Sequence, residues 1–183
     1  MKFIVLNEDI TSLEVDAIVT PTNKFLTRGG GLNSKVHTKA GFELTKELFE
    51  IKKNLPNELK EGSCVHTKGY NLPCKFVIHT LGPKLLNYKN LEDEKKTKVI
   101  KKVLYDSYYN SLIKAETLNC SSIAFPLISG GNFGVHISLI KEILLEFKED
   151  LKNIELKNIE EIYLVVYEKD LFTFFHPELH ENN

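Results

Sequence analysis

The sequence predicts a three-layer α/β/α sandwich with a mixed, mostly parallel central sheet, built as a single domain over residues 1–183. Three observations carry this. Short apolar runs alternate with longer stretches of helical periodicity, the order that produces parallel strands joined by helical crossovers. The runs at 17–20 and 122–127 are apolar without polar alternation, as strands covered on both faces require. Two glycine-bearing loops, Arg28-Gly29-Gly30-Gly31-Leu32 and Ser129-Gly130-Gly131-Asn132-Phe133-Gly134, each stand between such a run and a helical segment. Ligands of sheets of this kind bind outside the carboxyl ends of the strands, which is where both loops fall.

Residues 3–6 read as a first strand, ended by Asn7-Glu8-Asp9, and 17–20 as a buried second one. From Leu32 to about Leu55 the periodicity is helical, interrupted near Gly41 and closed by Asn54-Leu55-Pro56, since proline cannot continue a helix. Residues 63–67 and 75–80 read as short strands joined by the turn-like Gly69-Tyr70-Asn71-Leu72-Pro73. Glu92, Asp93 and Glu94 open a long helix and complement its dipole. Val99, Ile100, Val103, Leu104, Tyr108, Leu112 and Ala115 give that helix one apolar face. A core strand at 122–127 follows. Ile137, Ile140, Leu144, Phe147 and Leu151 then mark a second amphipathic helix, 161–167 a last strand, and 170 to about 175 a short terminal helix. The tandem Leu151-Lys152-Asn153-Ile154-Glu155 and Leu156-Lys157-Asn158-Ile159-Glu160 has a five-residue period that fits neither helix nor strand. It reads as a connecting segment without functional content.

A chain of 183 residues with 42% hydrophobic content suffices for one packed core and is short for two. A net charge of −1 argues against a dedicated nucleic-acid binder, and Lys95, Lys96, Lys98, Lys101 and Lys102 read as one solvated helix face. Cys64, Cys74 and Cys120 are odd in number and lack CxxC spacing, which points to reduced thiols. The N-terminal apolar run is too short for a signal peptide, and no run reaches membrane-spanning length. The expectation is a soluble, cytoplasmic protein. Cys64 and His66 share a strand face, and with His37 or His79 a zinc site is imaginable; no second cysteine–histidine pair completes it. Gly-x-Ser-x-Gly, the Gly-Lys-[Ser/Thr] of a P-loop and Gly-x-Gly-x-x-Gly are all absent, which argues against hydrolase-elbow, triphosphatase and dinucleotide dehydrogenase chemistry.

Glycines at these turns bring bare N–H groups against a ligand, and a following helix N-terminus adds partial positive charge. Each loop is thus a candidate phosphate cradle, and two facing cradles fit a diphosphate. Arg28 is the only arginine, so backbone amides rather than an arginine clamp would hold it.

Five fragments, in order, resemble the macrodomain family, the ADP-ribose-binding α/β module, from about Phe3 to Phe175. They are Glu8-Asp9-Ile10-Thr11; Asp16-Ala17-Ile18-Val19-Thr20-Pro21-Thr22-Asn23; Gly29-Gly30-Gly31-Leu32 with Val36-His37-Thr38-Lys39-Ala40-Gly41; residues 67–73 with Val77-Ile78-His79-Thr80-Leu81-Gly82-Pro83; and residues 122–129 with Gly130-Gly131-Asn132-Phe133-Gly134. The resemblance implies that the Asp9 carboxylate accepts hydrogen bonds from the exocyclic amine of adenine, selecting it over a keto-bearing purine. Ile10 adds an apolar wall and a backbone contact, and Tyr167 stacks on the base. Gly29, Gly30, Gly31 and Leu32, with Ser129, Gly130, Gly131, Asn132 and Gly134, hold the diphosphate. Asn23 and Phe133 position the distal ribose. The implied partner is ADP-ribose or an ADP-ribosylated protein, bound by a monomer without cofactor, metal, nucleic acid or membrane.

As an enzyme, such a protein would hold water between Asn23, Asn33 and the diphosphate for attack on the distal ribose C1″, releasing mono-ADP-ribose from acidic side chains. O-acetyl-ADP-ribose would be deacetylated by related chemistry. Thr20, Pro21 and Thr22 depart from the family's Asn-Ala-Ala, and Asn33 stands where hydrolytic members often carry aspartate. An amide cannot act as a carboxylate base. The same pocket without turnover would make the protein a reader of ADP-ribosyl groups.

Overall fold

Adjacent residues of a strand point to opposite sides of a sheet, so an unbroken apolar run needs cover on both. The computed structural model, which describes residues 1–180, supplies it. The strands are β1 (Lys2–Leu6), β2 (Ala17–Pro21), β3 (Cys64–Lys68), β4 (Phe76–Thr80), β5 (Ser122–Phe125) and β6 (Glu161–Val165). They form one sheet in the order β1-β6-β5-β2-β4-β3. Only the β3–β4 pair is antiparallel. The helices are α1 (Gly31–Ala40), α2 (Phe42–Asn54), α3 (Asp93–Thr117), α4 (Ile137–Asp150) and α5 (Lys169–Leu179). Ile18, Val77, Ala124 and Val165 pack with Val36, Ala40, Leu44 and Leu48 of α1 and α2. On the other face Val19, Ile78, Ile123 and Leu164 pack with Leu104, Tyr108, Ile140, Phe147 and Phe175 of α3, α4 and α5. The architecture is the expected three-layer sandwich.

Several boundaries differ from the sequence expectation, each for a local reason. β5 stops at Phe125 because Pro126 has no N–H with which to extend the ladder. β6 stops at Val165, after which Asn7 Nδ2 donates to the carbonyls of Val166 at 2.7 Å and Tyr167 at 2.9 Å and turns the chain outward. α5 runs on to Leu179 through Pro177. A proline in the last turn forfeits one hydrogen bond, while burial of Phe175 and Leu179 holds the helix to the core. In the tandem repeat, the N–H groups of Lys157, Asn158 and Ile159 donate to the Glu116 carboxylate at 2.9, 3.1 and 3.1 Å. The repeat is a connector pinned by the end of α3.

Two braces tie distant segments to the sheet. At the amino end of β2, Asp16 Oδ2 accepts from the Ser121 N–H and hydroxyl at 2.6 and 2.8 Å, and Oδ1 pairs with Lys75 at 2.7 Å. Partial burial opposes ionisation of Asp16, but Lys75 and Ser121 outweigh it and hold its pKa at about 2. The folded value lies below the unfolded one, so this brace contributes stability above the usual carboxylate range and loses it as pH falls towards about 2. On the open side of edge strand β1, the Val5 N–H donates to His180 Nδ1 at 3.1 Å, which closes part of an edge otherwise free to pair with another chain. Replacing His180 by alanine leaves this donor unsatisfied and should cost about 1–2 kcal/mol. Thermal denaturation should show a midpoint lower by roughly 2–8 °C; an unchanged midpoint would show that water replaces the imidazole at no cost.

Candidate functional site

The carboxyl ends of β1, β6, β5 and β2 lie side by side in that order, and each leads into one piece of the site expected from sequence. Asp9 follows β1, Tyr167 follows β6, the Ser129–Gly134 loop follows β5, and Asn23 with the Gly29–Gly31 loop follows β2. Strands are spaced about 4.8 Å apart, so the row is roughly 14 Å long. Two adjoining chambers run along it, of about 390 Å³ and 240 Å³. Leu32, Pro126, Leu127 and Gly131 line both, at the join.

The larger chamber is bounded by Asp9, Ile10, Lys35, Gly130, Val166 and Tyr167. Asp9 caps a 3-10 turn over Ile10–Ser12, accepting from the Thr11 N–H at 3.1 Å and the Thr11 hydroxyl at 2.6 Å through Oδ1. Its Oδ2 meets Lys35 Nζ at 2.9 Å and Lys39 Nζ at 3.1 Å. Partial burial works against the charge, but the Thr11 hydroxyl, Lys35 and Lys39 outweigh it and hold the carboxyl well below the usual carboxylate range. Ile10 is buried beneath, and its N–H donates to no acceptor among the described residues. Tyr167 is 69% exposed, so it does not serve as core packing, and Lys35 Nζ stands 5.0 Å from its ring centroid.

The two loops face each other at the join. A Cβ built on Gly30 would stand 3.1 Å from Asn132 Nδ2, so the loops approach to side-chain contact. Among the described residues, the N–H groups of Gly30, Gly31, Leu32, Gly131, Asn132 and Phe133 donate to no protein acceptor. Gly31 and Leu32 open α1 and Gly30 caps it, where the dipole adds positive charge. The second loop is held by bonds from Gly130 N–H to Leu127 O, Gly134 N–H to Gly131 O and Val135 N–H to Ser129 O, at 3.2, 2.9 and 3.0 Å. Beneath it the buried Tyr108 hydroxyl accepts from the Ile128 N–H at 3.0 Å and donates to the Pro126 carbonyl at 3.2 Å. Gly134, with φ +73, makes a turn and lines neither chamber.

The smaller chamber is lined by Thr22, Asn23, Gly29, Asn33, Ser129 and Phe133 among others. Both asparagines are structural staples of the first loop. Asn23 Oδ1 accepts from the N–H groups of Phe25 and Thr27 at 3.0 and 3.3 Å, and its Nδ2 donates to Thr27 O at 2.8 Å. Asn33, 6% exposed, accepts from the Gly29 N–H at 2.6 Å and donates to the Pro21 carbonyl at 3.0 Å. Asn23 keeps one N–H for a ligand; Asn33 keeps one as well but is set deeper in the wall. No residue lining this chamber carries a titratable side chain. His37 of α1 and His79 of β4 stack edge to face with centroids 6.5 Å apart. Burial pushes His79 down to about 3, and burial with the Arg28 charge lowers His37. Both are neutral framework groups, and His79 shares a hydrogen bond with Thr67. Among the described residues, no group of three His, Cys, Asp or Glu side chains stands close enough to hold a metal.

Sequence reasoning did not find Lys35, Pro126 or Leu127. The i, i+4 spacing of Lys35 and Lys39 on the helix after the first loop was the available signal for the lysine pair.

An elongated cleft of unbonded amides at the carboxyl edge of a parallel sheet, with a carboxylate and an exposed aromatic at one end, defines an anion-accepting α/β module. The chain belongs to the macro domain family, whose model matches residues 19–144. It is 36% identical over 166 residues to an O-acetyl-ADP-ribose deacetylase of Escherichia fergusonii, covering 91% of this chain and 88% of that protein. It is 39% identical over 127 residues to an uncharacterized protein of Thermoplasma acidophilum, covering 69% of this chain and 61% of that one. The Oceanobacillus iheyensis macrodomain solved with ADP superimposes with a TM-score of 0.83 at 29% identity, over 96% of this chain and 88% of that one. Among the described residues no helix is long and apolar enough to cross a membrane.

Proposed function

We propose that this chain is a single macrodomain that binds ADP-ribose along the sheet edge and hydrolyses the group carried by its distal ribose. The observation that carries the reading is the pair of facing loops with unbonded amides between two chambers of different character. The β1 and β6 ends suit a purine, with the Asp9 carboxylate, the Ile10 N–H and the Tyr167 ring. The loops suit a diphosphate. The Asn23 and Phe133 chamber suits the second sugar. The ADP of the Oceanobacillus neighbour and the activity named for the Escherichia relative support the same ligand class. The substrates are O-acetyl-ADP-ribose or an acidic side chain bearing mono-ADP-ribose, met by a cytoplasmic monomer.

Because no titratable side chain lines the distal chamber, water there is oriented by amides and by the substrate's own diphosphate. Hydrolysis should therefore show no side-chain pKa between about pH 6 and about pH 9. A bell-shaped profile in that window would identify a base that this geometry does not contain. A gel assay on a mono-ADP-ribosylated glutamate substrate, with acetate release from O-acetyl-ADP-ribose measured in parallel, tests turnover itself.

The second reading is a reader that binds without cutting, and the two hydrogen bonds of Asn33 favour it. The gel assay separates the two, and Asn33→Asp tests whether this position limits turnover. The carboxylate would face the Pro21 carbonyl, at a stability cost of about 1–3 kcal/mol, and it would supply a base worth about a hundredfold in rate. A variant that folds, binds ADP-ribose and turns over no faster would remove that position from catalysis.

A further inference from the structure

We infer that Lys35 is a gate that every base entering the base-binding chamber has to displace, a role that rests on the purine assignment above. A carboxylate offers about four acceptor sites. All four at Asp9 are taken, by the Thr11 N–H and hydroxyl on Oδ1 and by Lys35 and Lys39 on Oδ2. An amine entering the chamber must displace one donor. The Thr11 contacts are local to the turn that Asp9 caps, and Lys39 does not line the chamber. Lys35 does line it, and its ammonium lies both 2.9 Å from Asp9 and 5.0 Å from the centre of the Tyr167 ring. It bridges the two groups between which a base would lie, so a purine that stacks on Tyr167 and reaches Asp9 has to take both of its contacts.

The consequence is a cost shared by all bases. A base with an exocyclic amine recovers the Asp9 contact that Lys35 gives up. A base presenting a keto oxygen there has to displace the same two contacts, so the lysine raises the threshold for every base by a similar amount. An exposed ion pair and a cation–π contact together are worth about 1 kcal/mol, or about fivefold in affinity.

The test uses adenosine, which carries no phosphate for a lysine to attract. Its affinity is read by amide chemical-shift titration, which measures millimolar binding, on the wild type, Lys35→Ala and Lys39→Ala. Lys35→Ala should bind adenosine about fivefold more tightly and inosine, with a keto oxygen in place of the amine, by a similar factor in absolute terms. Lys39→Ala should change adenosine affinity less than twofold. Equal adenosine affinity in wild type and Lys35→Ala, weaker binding by Lys35→Ala, or no detectable binding by either overturns the gate. ADP-ribose titrated into the wild type keeps the two ideas apart: failure there sinks the proposed function, whereas intact ADP-ribose binding with no effect at Lys35 sinks only this inference.

Discussion

Asp9→Ala should weaken ADP-ribose binding by about 1–3 kcal/mol, roughly fivefold to 150-fold. The variant loses the acceptor proposed for the adenine amine, and it releases Lys35 and Lys39 from their common counterion. Both lysines have side chains 41% exposed, so water takes them up and the fold loses little. The informative readout is discrimination. Guanine presents a keto oxygen where adenine presents its amine, and an ionised carboxylate repels it. Wild type should therefore prefer ADP to GDP in calorimetric titrations, and Asp9→Ala should bind the two alike. Asp9→Asn should fall between, since an amide can still turn its oxygen towards the base. The folded pKa of Asp9 is depressed, so the carboxylate stays charged well below the usual range; the preference for ADP should be flat from about pH 8 to about pH 5. A preference that fades across that interval would place a different group at the base.

Gly131→Val should lower ADP-ribose affinity by about 3 kcal/mol, on the order of a hundredfold or more, while leaving the melting temperature nearly unchanged. Gly131 lines both chambers at their join, and a Cβ built there meets nothing within 4 Å. The branched side chain therefore fits the fold yet stands where the proposed diphosphate would lie. Gly82 makes the contrast, because a Cβ there would sit 2.3 Å from Ser129 Oγ and 2.6 Å from an Ile128 methyl. Gly82→Ala should lower stability before it affects any ligand. A Gly131→Val protein that binds ADP-ribose normally would move the diphosphate out of the join.

The sequence made much of this legible because the site is built from main chain at strand ends. A glycine loop after an apolar run announces both its position and its chemistry, and the order Asp9, Gly29–Gly31, Gly130–Gly134, Tyr167 could be written down before any coordinates. Side-chain partners across elements were not legible. Asn23 and Asn33 look in sequence like groups offered to a ligand, and only the packed loop shows their amides closing bonds to Thr27, Gly29 and Pro21. Tyr108 reads as one more apolar helix position, yet its hydroxyl holds the base of the second loop through Ile128 and Pro126. Lys35 meets Asp9 only because α1 is laid beside the Asp9 turn. Pro126 and Pro177 mislead in opposite directions: one ends a strand expected to continue, and the other sits inside a helix expected to have stopped.

The most direct measurement is a crystal structure of the protein with ADP-ribose. Pyrophosphate oxygens should lie within about 3 Å of main-chain nitrogens from both loops, Gly30–Leu32 and Gly131–Phe133, with the base between Asp9 and Tyr167. ADP-ribose bound elsewhere, or a pyrophosphate touching one loop or side chains alone, would contradict the cleft as described.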